Sequence, residues 1–145
     1  ESSTDNSNAE SNFYGYSRLW NNSSDSVSVA NSGNDMVLGT GDFTVECWVF
    51  DSNAHDGSNS RCYIWDNRVG GNVVSGPIML AYVDGHQEWN LEIGGDSLTY
   101  SMSPDYTTER NRWYHVAATR REGVVTMWIN GIARATTTGN TSNLT

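Results

Sequence analysis

From Phe13 onward, clusters of turn-forming residues occur at intervals of about ten residues. The segments between these clusters are rich in Trp, Tyr, Val and Thr. These residue types favour extended strands, whereas Asn, Asp, Ser and Gly favour turns. The segment Phe43–Phe50 carries large residues on both of its alternating faces, as expected of a central strand. Asn130-Gly131 is the strongest hairpin signal, because both residue types tolerate positive φ. The spacing predicts an all-β, antiparallel two-sheet sandwich.

The composition fits one folded domain and argues against several classes of partner. Six Trp, seven Tyr and three Phe among 145 residues supply the apolar area that a core requires. The net charge of −9, with no Lys, argues against binding to nucleic acid or to an anionic membrane surface. No apolar run is long enough to span a bilayer. We expect residues 1–12 to form a polar N-terminal arm or linker and residues 13–145 to form the domain.

The sequence contains two cysteines, Cys47 and Cys62. If the strands that contain them pair around the polar loop 51–60, the two thiols become near neighbours and a disulfide can form between them. The alternative is two buried free thiols. Because no cluster of Cys and His residues exists, we expect no zinc site.

Four stretches of the sequence resemble motifs of laminin-G-like domains. Gly41–Val49 resembles their G-x-F-T-ϕ-E-x-W-ϕ strand, where ϕ is apolar, and Arg112–Ala117 resembles their x-W-ϕ-H-V-A strand. Met127–Gly131 is similar to their ϕ-x-ϕ-N-G hairpin, and Leu19 with Asp25–Val29 is similar to their opening strand pair. The four stretches occur in the family's order and span most of the chain.

This resemblance implies a jelly-roll sandwich of the concanavalin A-like lectin/glucanase superfamily, whose architecture pentraxins share. Such domains usually close with a strand of the pattern I-D-x-ϕ-R-ϕ, and this sequence has no counterpart of it before Thr145. A sheet that lacks its last strand exposes unpaired backbone at an edge. We therefore expect either a fragment of a longer protein or a neighbouring chain that supplies the missing strand.

The carboxylates do not form the pattern of the glucan-cleaving enzymes that share this architecture. Those enzymes carry a run such as E-x-D-x-x-E along one strand, which places carboxylates on one face at catalytic distance. The nearest approach here is Glu88 and Glu92, whose Cβ atoms would lie about 13 Å apart in a strand, too far for a retaining mechanism. We expect a chain without catalytic activity.

Calcium is the one metal for which the sequence offers a candidate. Asp66 and Asn67 end one predicted strand and open a loop, and pentraxin-like calcium sites carry an Asp-Asn pair at a similar place. Carboxylate and amide oxygens are calcium ligands. The second half of such a site, after the Asn-Gly hairpin, is missing here, and the alternative for this pair is an Asx-type turn. Apart from this candidate we expect no cofactor.

A candidate carbohydrate site lies at a predicted hairpin, where Tyr82, Asp84, His86 and Trp89 come together. An aromatic ring can stack on a sugar while polar neighbours bind its hydroxyls. The alternative for Tyr82 and Trp89 is packing in the core. Three further tryptophans lie in strands and are predicted to belong to the core: Trp48, Trp113 and Trp128.

The function that these observations favour is a non-catalytic recognition or adhesion module on a virion or cell surface, outside the cell. Its expected partners are a glycan or a surface protein, together with neighbouring copies in an assembly. One alternative is a purely structural subunit of a filament or virion, and another is a domain related to glycoside hydrolases. An exposed aromatic ring beside converging polar groups would favour the first of these functions.

Overall fold

The computed structural model describes residues 5–7, 15, 17–19, 26–28, 37–51, 61–66, 78–83, 88–101 and 111–144. The chain divides into two units, Glu1–Met36 and Val37–Thr145, which are treated separately. The expected division into an arm of residues 1–12 and a domain of residues 13–145 stays a prediction.

In the first unit, β1 (Asp5–Ser7) pairs with β2 (Ser17–Leu19) in an antiparallel arrangement. Residues 26–28, which the resemblance to an opening strand pair predicts to lie in a strand, form no strand, and Val27 is 59% exposed. A period-two pattern shows which residues can share a face, but a strand also requires backbone partners.

The described part of the second unit contains eight strands in two antiparallel four-stranded sheets, and no described residue of the chain is helical. The strands are β3 (Phe43–Asp51), β4 (Arg61–Asp66), β5 (Ile78–Val83), β6 (Glu88–Ile93), β7 (Asp96–Ser101), β8 (Arg112–Arg121), β9 (Val124–Ile129) and β10 (Ile132–Thr137). One sheet has the order β10-β9-β8-β3 and the other the order β4-β5-β6-β7. The all-β jelly-roll class predicted from the sequence is confirmed.

The turns between strands follow the predicted chemistry. Asn130 and Gly131 join β9 to β10 with φ values of 52° and 76°, the left-handed geometry for which Asn-Gly is suited. Gly94 and Gly95 join β6 to β7, also with positive φ.

The strand that follows β3 along the chain does not pair with it. β3 pairs with β8 along its whole length, and β4 pairs with β5 in the other sheet. The predicted pairing of the two cysteine-bearing strands is therefore wrong, because the connection after β3 crosses from one sheet to the other. Cys47 and Cys62 are both free thiols on different sheets, each packed against the core.

The core lies between the two sheets and draws side chains from both of them. β6 and β7 contribute from one sheet, and β8 and β9 from the other. The residues that these strands contribute to the core cluster are Trp89, Leu91, Ile93, Leu98, Tyr114, Val116, Ala118, Val125, Met127 and Ile129. Removing this much apolar surface from water is the main force that holds the sheets face to face.

The polar segment after β10, residues 138–144, is named the strap here. Residues 138–143 form no regular secondary structure, and Leu144 forms the one contact of strand type in this segment. Leu144 is 1% exposed and belongs to the core, and its backbone forms an isolated antiparallel bridge with Gly39. Its amide donates to the carbonyl of Gly39 (3.0 Å), and its own carbonyl accepts from the amides of Leu38 and Gly39 (3.1 Å each). The two ends of the second unit therefore lie side by side.

Asn140 holds the strap against both sheets. Its backbone amide donates to the carbonyl of Gly123 (2.9 Å), at the β8–β9 turn. Its side-chain amide donates to the carbonyl of Ile93 (3.3 Å) and to Oδ2 of Asp96 (2.7 Å), at the β6–β7 turn. Asn140 is only 4% exposed, and its hydrogen bonds connect one hairpin of each sheet at this end of the sandwich.

Arg120, near the end of β8, is only 2% exposed and connects the strap to the chain before β3. Its guanidinium donates to the carbonyls of Gly39 (2.6 Å), Gly41 (2.9 Å) and Ser142 (2.8 Å), and to Oδ1 of Asn140 (3.2 Å). Burial lowers the pKa of this guanidinium, and the nearby Asp42 carboxylate opposes that effect. The buried charge is thus satisfied mainly by neutral oxygens.

Candidate functional site

The sheet β10-β9-β8-β3 carries a second set of side chains on the side away from the core. Successive residues of a strand point to opposite faces, so the neighbours of the core residues point outward. We name this surface the outer face. It comprises Thr44, Glu46, Trp48 and Phe50 on β3; Trp113, His115, Ala117 and Thr119 on β8; Thr126 and Trp128 on β9; and Thr136 on β10.

Trp48 is the most exposed tryptophan among the described residues, with 45% of its surface accessible. Pairing of β3 with β8 places it directly opposite His115. The two rings lie 5.2 Å apart between centroids and are tilted by 47°. Nε2 of His115 lies 3.3 Å from Oε2 of Glu46, which points outward two residues before Trp48 on β3. The indole therefore lies beside an imidazole and a carboxylate.

The β9–β10 turn fixes the backbone on which His115 is mounted. The amide of His115 donates to Oδ1 of Asn130 (2.9 Å), and the amide of Asn130 donates to the carbonyl of His115 (2.8 Å). This reciprocal pair extends the β8–β9 ladder into the turn. The position of the imidazole is set by a rigid hairpin rather than by a loop, which favours a preorganised surface.

Two more tryptophans lie on the outer face. Trp113 contacts Phe50 edge to face, with ring centroids 5.5 Å apart. Trp128 donates from Nε1 to the hydroxyl of Thr119 (2.9 Å), which fixes the orientation of its indole. The prediction that Trp48, Trp113 and Trp128 belong to the core is wrong, because all three alternate with core residues along their strands.

A shallow, open depression of about 490 Å³ lies around Trp48. Its lining comprises Trp48, Arg112, Trp113, His115, Asn130 and Gly131. The cation in this lining already has an aromatic partner, since Nε of Arg112 donates to the hydroxyl of Tyr114 (3.1 Å) and its guanidinium lies 5.2 Å from the centre of that ring. What remains available to a ligand is flat aromatic surface flanked by polar groups.

The carbohydrate site predicted at the β5–β6 hairpin is not assembled as expected. Trp89 is only 1% exposed and packs against Tyr114 in the core, with ring centroids 5.6 Å apart, so it cannot stack on a ligand. Tyr82 lies opposite Trp89 in the backbone register of β5 and β6. Asp84 and His86 lie outside the described residues. For Trp89 the core alternative is therefore the correct one.

The calcium candidate is described only in part. Asp66 is exposed at the end of β4, and Asn67 lies outside the described residues. Within the ranges that the structure describes, no three carboxylate, imidazole or thiol side chains come together in a way that could hold a metal ion. Calcium at Asp66 and Asn67 stays a prediction.

The Cys47 thiol lies on the core side of β3 and is poorly suited to reaction. Burial raises its pKa to about 11, and the neighbouring Glu46 carboxylate adds to the effect. Because the thiolate is the nucleophilic form, Cys47 is a packing residue at neutral pH.

Comparison with known proteins assigns the chain to a family. Residues 21–145 match the model of a laminin-G-like family described as the concanavalin A-like lectin/glucanases superfamily. No curated protein matches the chain. No helix in the described part of the chain has the length and apolar character to cross a membrane. The matched residues include all eight strands of the second unit and the outer face, and the chain belongs to the concanavalin A-like lectin/glucanases superfamily.

Proposed function

We propose that this chain is a non-catalytic, carbohydrate-binding module that works outside the cell, on a cell or virion surface, and that its ligand binds the outer face at Trp48. The observation that carries the proposal is a tryptophan left 45% exposed beside an imidazole–carboxylate pair. Large aromatic rings are normally buried, and a rigid exposed ring flanked by polar groups is the composition of a ligand site.

The chemistry around Trp48 supports binding rather than hydrolysis. A glycosidase requires two carboxyl groups on opposite sides of the scissile bond, about 5–9.5 Å apart. Among the described residues of the outer face, Glu46 is the one carboxylate, and it faces His115. The lack of a second carboxylate at this surface favours a module that holds a glycan without cleaving it.

The laminin-G-like family match supports an extracellular setting, since such domains are often extracellular. The acidic balance of the chain, with a net charge of −9, also suits a neutral polar partner better than a polyanion.

A glycan array with the purified chain tests the proposal. Trp48→Ala removes the exposed ring, whereas Tyr63→Ala removes a comparably exposed ring (53%) from β4 in the other sheet and serves as the matched control. We expect the wild type and Tyr63→Ala to bind the same glycans and Trp48→Ala to lose them. Equal loss in both variants, or binding by all three, would place the ligand elsewhere.

An array without any signal would favour the structural alternative, in which the outer face contacts neighbouring copies of the chain. Light scattering distinguishes the two functions. A subunit that assembles through this face should lose its oligomeric state in Trp48→Ala, whereas a binding module should keep the same mass in both variants.

A further inference from the structure

We infer that the glycan is a neutral polysaccharide bound along the middle of its chain, across several consecutive sugar rings, rather than a single terminal sugar or an acidic glycan. This inference rests on the proposed function and specifies the ligand of the same site. Its basis is the extent, the charge balance and the hydroxyl pattern of the outer face.

The aromatic surface is too long for one sugar. Trp48 lies opposite His115, and Trp128 lies opposite Ala117. From strand spacing and rise, the Cα atoms of Trp48 and Trp128 lie about 12 Å apart, and those of Trp113 and Trp128 about 14 Å apart. A single ring cannot touch aromatic platforms at these separations, whereas an extended chain of several rings can.

The charges of the outer face leave little for an acidic glycan to bind. The imidazole of His115 already faces the carboxylate of Glu46 at 3.3 Å, and the guanidinium of Arg112 is directed to Tyr114. The whole chain carries a net charge of −9, which disfavours the approach of a polyanion. Neutral hydroxyl groups meet no such barrier.

A row of threonines crosses the whole sheet next to the aromatic rings. Thr44 pairs with Thr119, Thr119 with Thr126, and Thr126 with Thr136, so one threonine from each strand lies in the same rank. Some of these hydroxyls already have partners: Oγ1 of Thr136 donates to Oγ1 of Thr126 (3.4 Å), and Oγ1 of Thr119 accepts from Nε1 of Trp128 (2.9 Å). Thr126 is only 9% exposed, so the exposed hydroxyls of Thr44 and Thr136 are the ones that can bind hydroxyl groups of a sugar chain.

The shape of the depression agrees with this mode of binding. A site for a terminal sugar encloses its ligand and buries most of its surface. The depression around Trp48 is instead open and shallow. An open surface lets a chain enter and leave at both ends, which is the condition for binding internal rings.

Affinity gel electrophoresis and calorimetry with soluble polysaccharides test the inference. The probes are neutral β-glucan, α-glucan and mannan, the acidic polymer polygalacturonate, and a ladder of oligosaccharides cut from whichever neutral polymer binds. We expect affinity for the neutral polymer to rise with chain length over the first few sugars and then to level off. Trp48→Ala and Trp128→Ala should each weaken polymer binding by about tenfold or more, and Tyr63→Ala should not.

The outcomes separate this inference from the proposed function. Preference for polygalacturonate, or equal affinity for a monosaccharide and the polymer, overturns the inference while sensitivity to Trp48→Ala still supports a glycan module. If the wild type binds none of these probes, or if Trp48→Ala leaves its binding unchanged, both the inference and the proposed function are overturned. Because Trp128 is half-buried, circular dichroism must show that Trp128→Ala is folded. Trp48→Phe keeps a smaller aromatic ring and should retain part of the affinity.

Discussion

Replacing Arg120 with Met should destabilise the second unit more than any other single change of a charged side chain on β8. The guanidinium is 2% exposed and makes four hydrogen bonds that join the strap to the segment before β3. Met fills a similar volume but donates none of these bonds. The carbonyls of Gly39, Gly41 and Ser142 and the amide oxygen of Asn140 would each lose a donor in a buried place.

The magnitude follows from two opposing contributions. A hydrogen bond from a charged donor contributes about 1.5–3 kcal/mol, so four of them contribute about 6–12 kcal/mol. The desolvation of a buried guanidinium costs several kcal/mol, which Met does not pay. The difference predicts a loss of about 3–5 kcal/mol in the free energy of unfolding, a large share of the roughly 5–15 kcal/mol that domains possess.

Urea unfolding followed by tryptophan fluorescence measures this loss. With a slope of about 1–3 kcal/mol per molar urea, the midpoint should fall by about 2 M. Arg121→Met is the matched control, because Arg121 is the next residue of β8 and is exposed; its midpoint should change little. If the two variants unfold within about 0.5 kcal/mol of each other, the hydrogen bonds of Arg120 do not stabilise the fold and the reasoning is refuted.

Three further predictions use other features of the same unit. Gly94→Ala should lower the melting temperature of the second unit clearly more than Gly95→Ala. Both glycines have positive φ, but only at Gly94 would a Cβ collide with Ser142. Equal melting temperatures would contradict the close approach of the strap to the β6–β7 turn. Leu144→Ala should cost about 2–5 kcal/mol in urea unfolding, as for a fully buried leucine, and a cost below about 0.5 kcal/mol would mean that the strap is not docked. The Cys47 thiol should resist iodoacetamide at pH 8 until urea unfolds the chain, since its folded pKa is about 11. Its protonated form stabilises the fold fully below about pH 9, and this stabilisation is lost as the pH rises toward 11, so Cys47→Ala should flatten the pH dependence of stability in that range.

The strands were predictable because their signal is local. Alternating residues with turn clusters between them located the strands of the second unit, and Asn130-Gly131 located one hairpin. Alternation also showed which residues share a face, but not which face is covered. Trp48 is in phase with Thr44 and Glu46, whereas Cys47 is in phase with Val45, and these polar companions were the signal that Trp48 points outward.

The features that the sequence did not reveal depend on contacts between distant parts of the chain. Leu144 is a single apolar residue in a polar stretch, and its partner Gly39 is more than a hundred residues away. In the sequence, Arg120 resembles an exposed charged residue at the end of a strand. Its burial depends on contacts with the strap. The crossing from β3 to the other sheet was missed for the same reason, because adjacency in sequence is only a guide to which strands pair.

The side-by-side placement of Gly39 and Leu144 determines how the second unit responds to mechanical pulling. Because the bridge is antiparallel, the chain enters and leaves at the same end of it. A force applied between these two points peels the hydrogen bonds apart one after another instead of shearing them together. The bridge therefore opens first and at low force. The force then acts on the four hydrogen bonds with which Arg120 holds both segments to β8, while the two sheets stay closed.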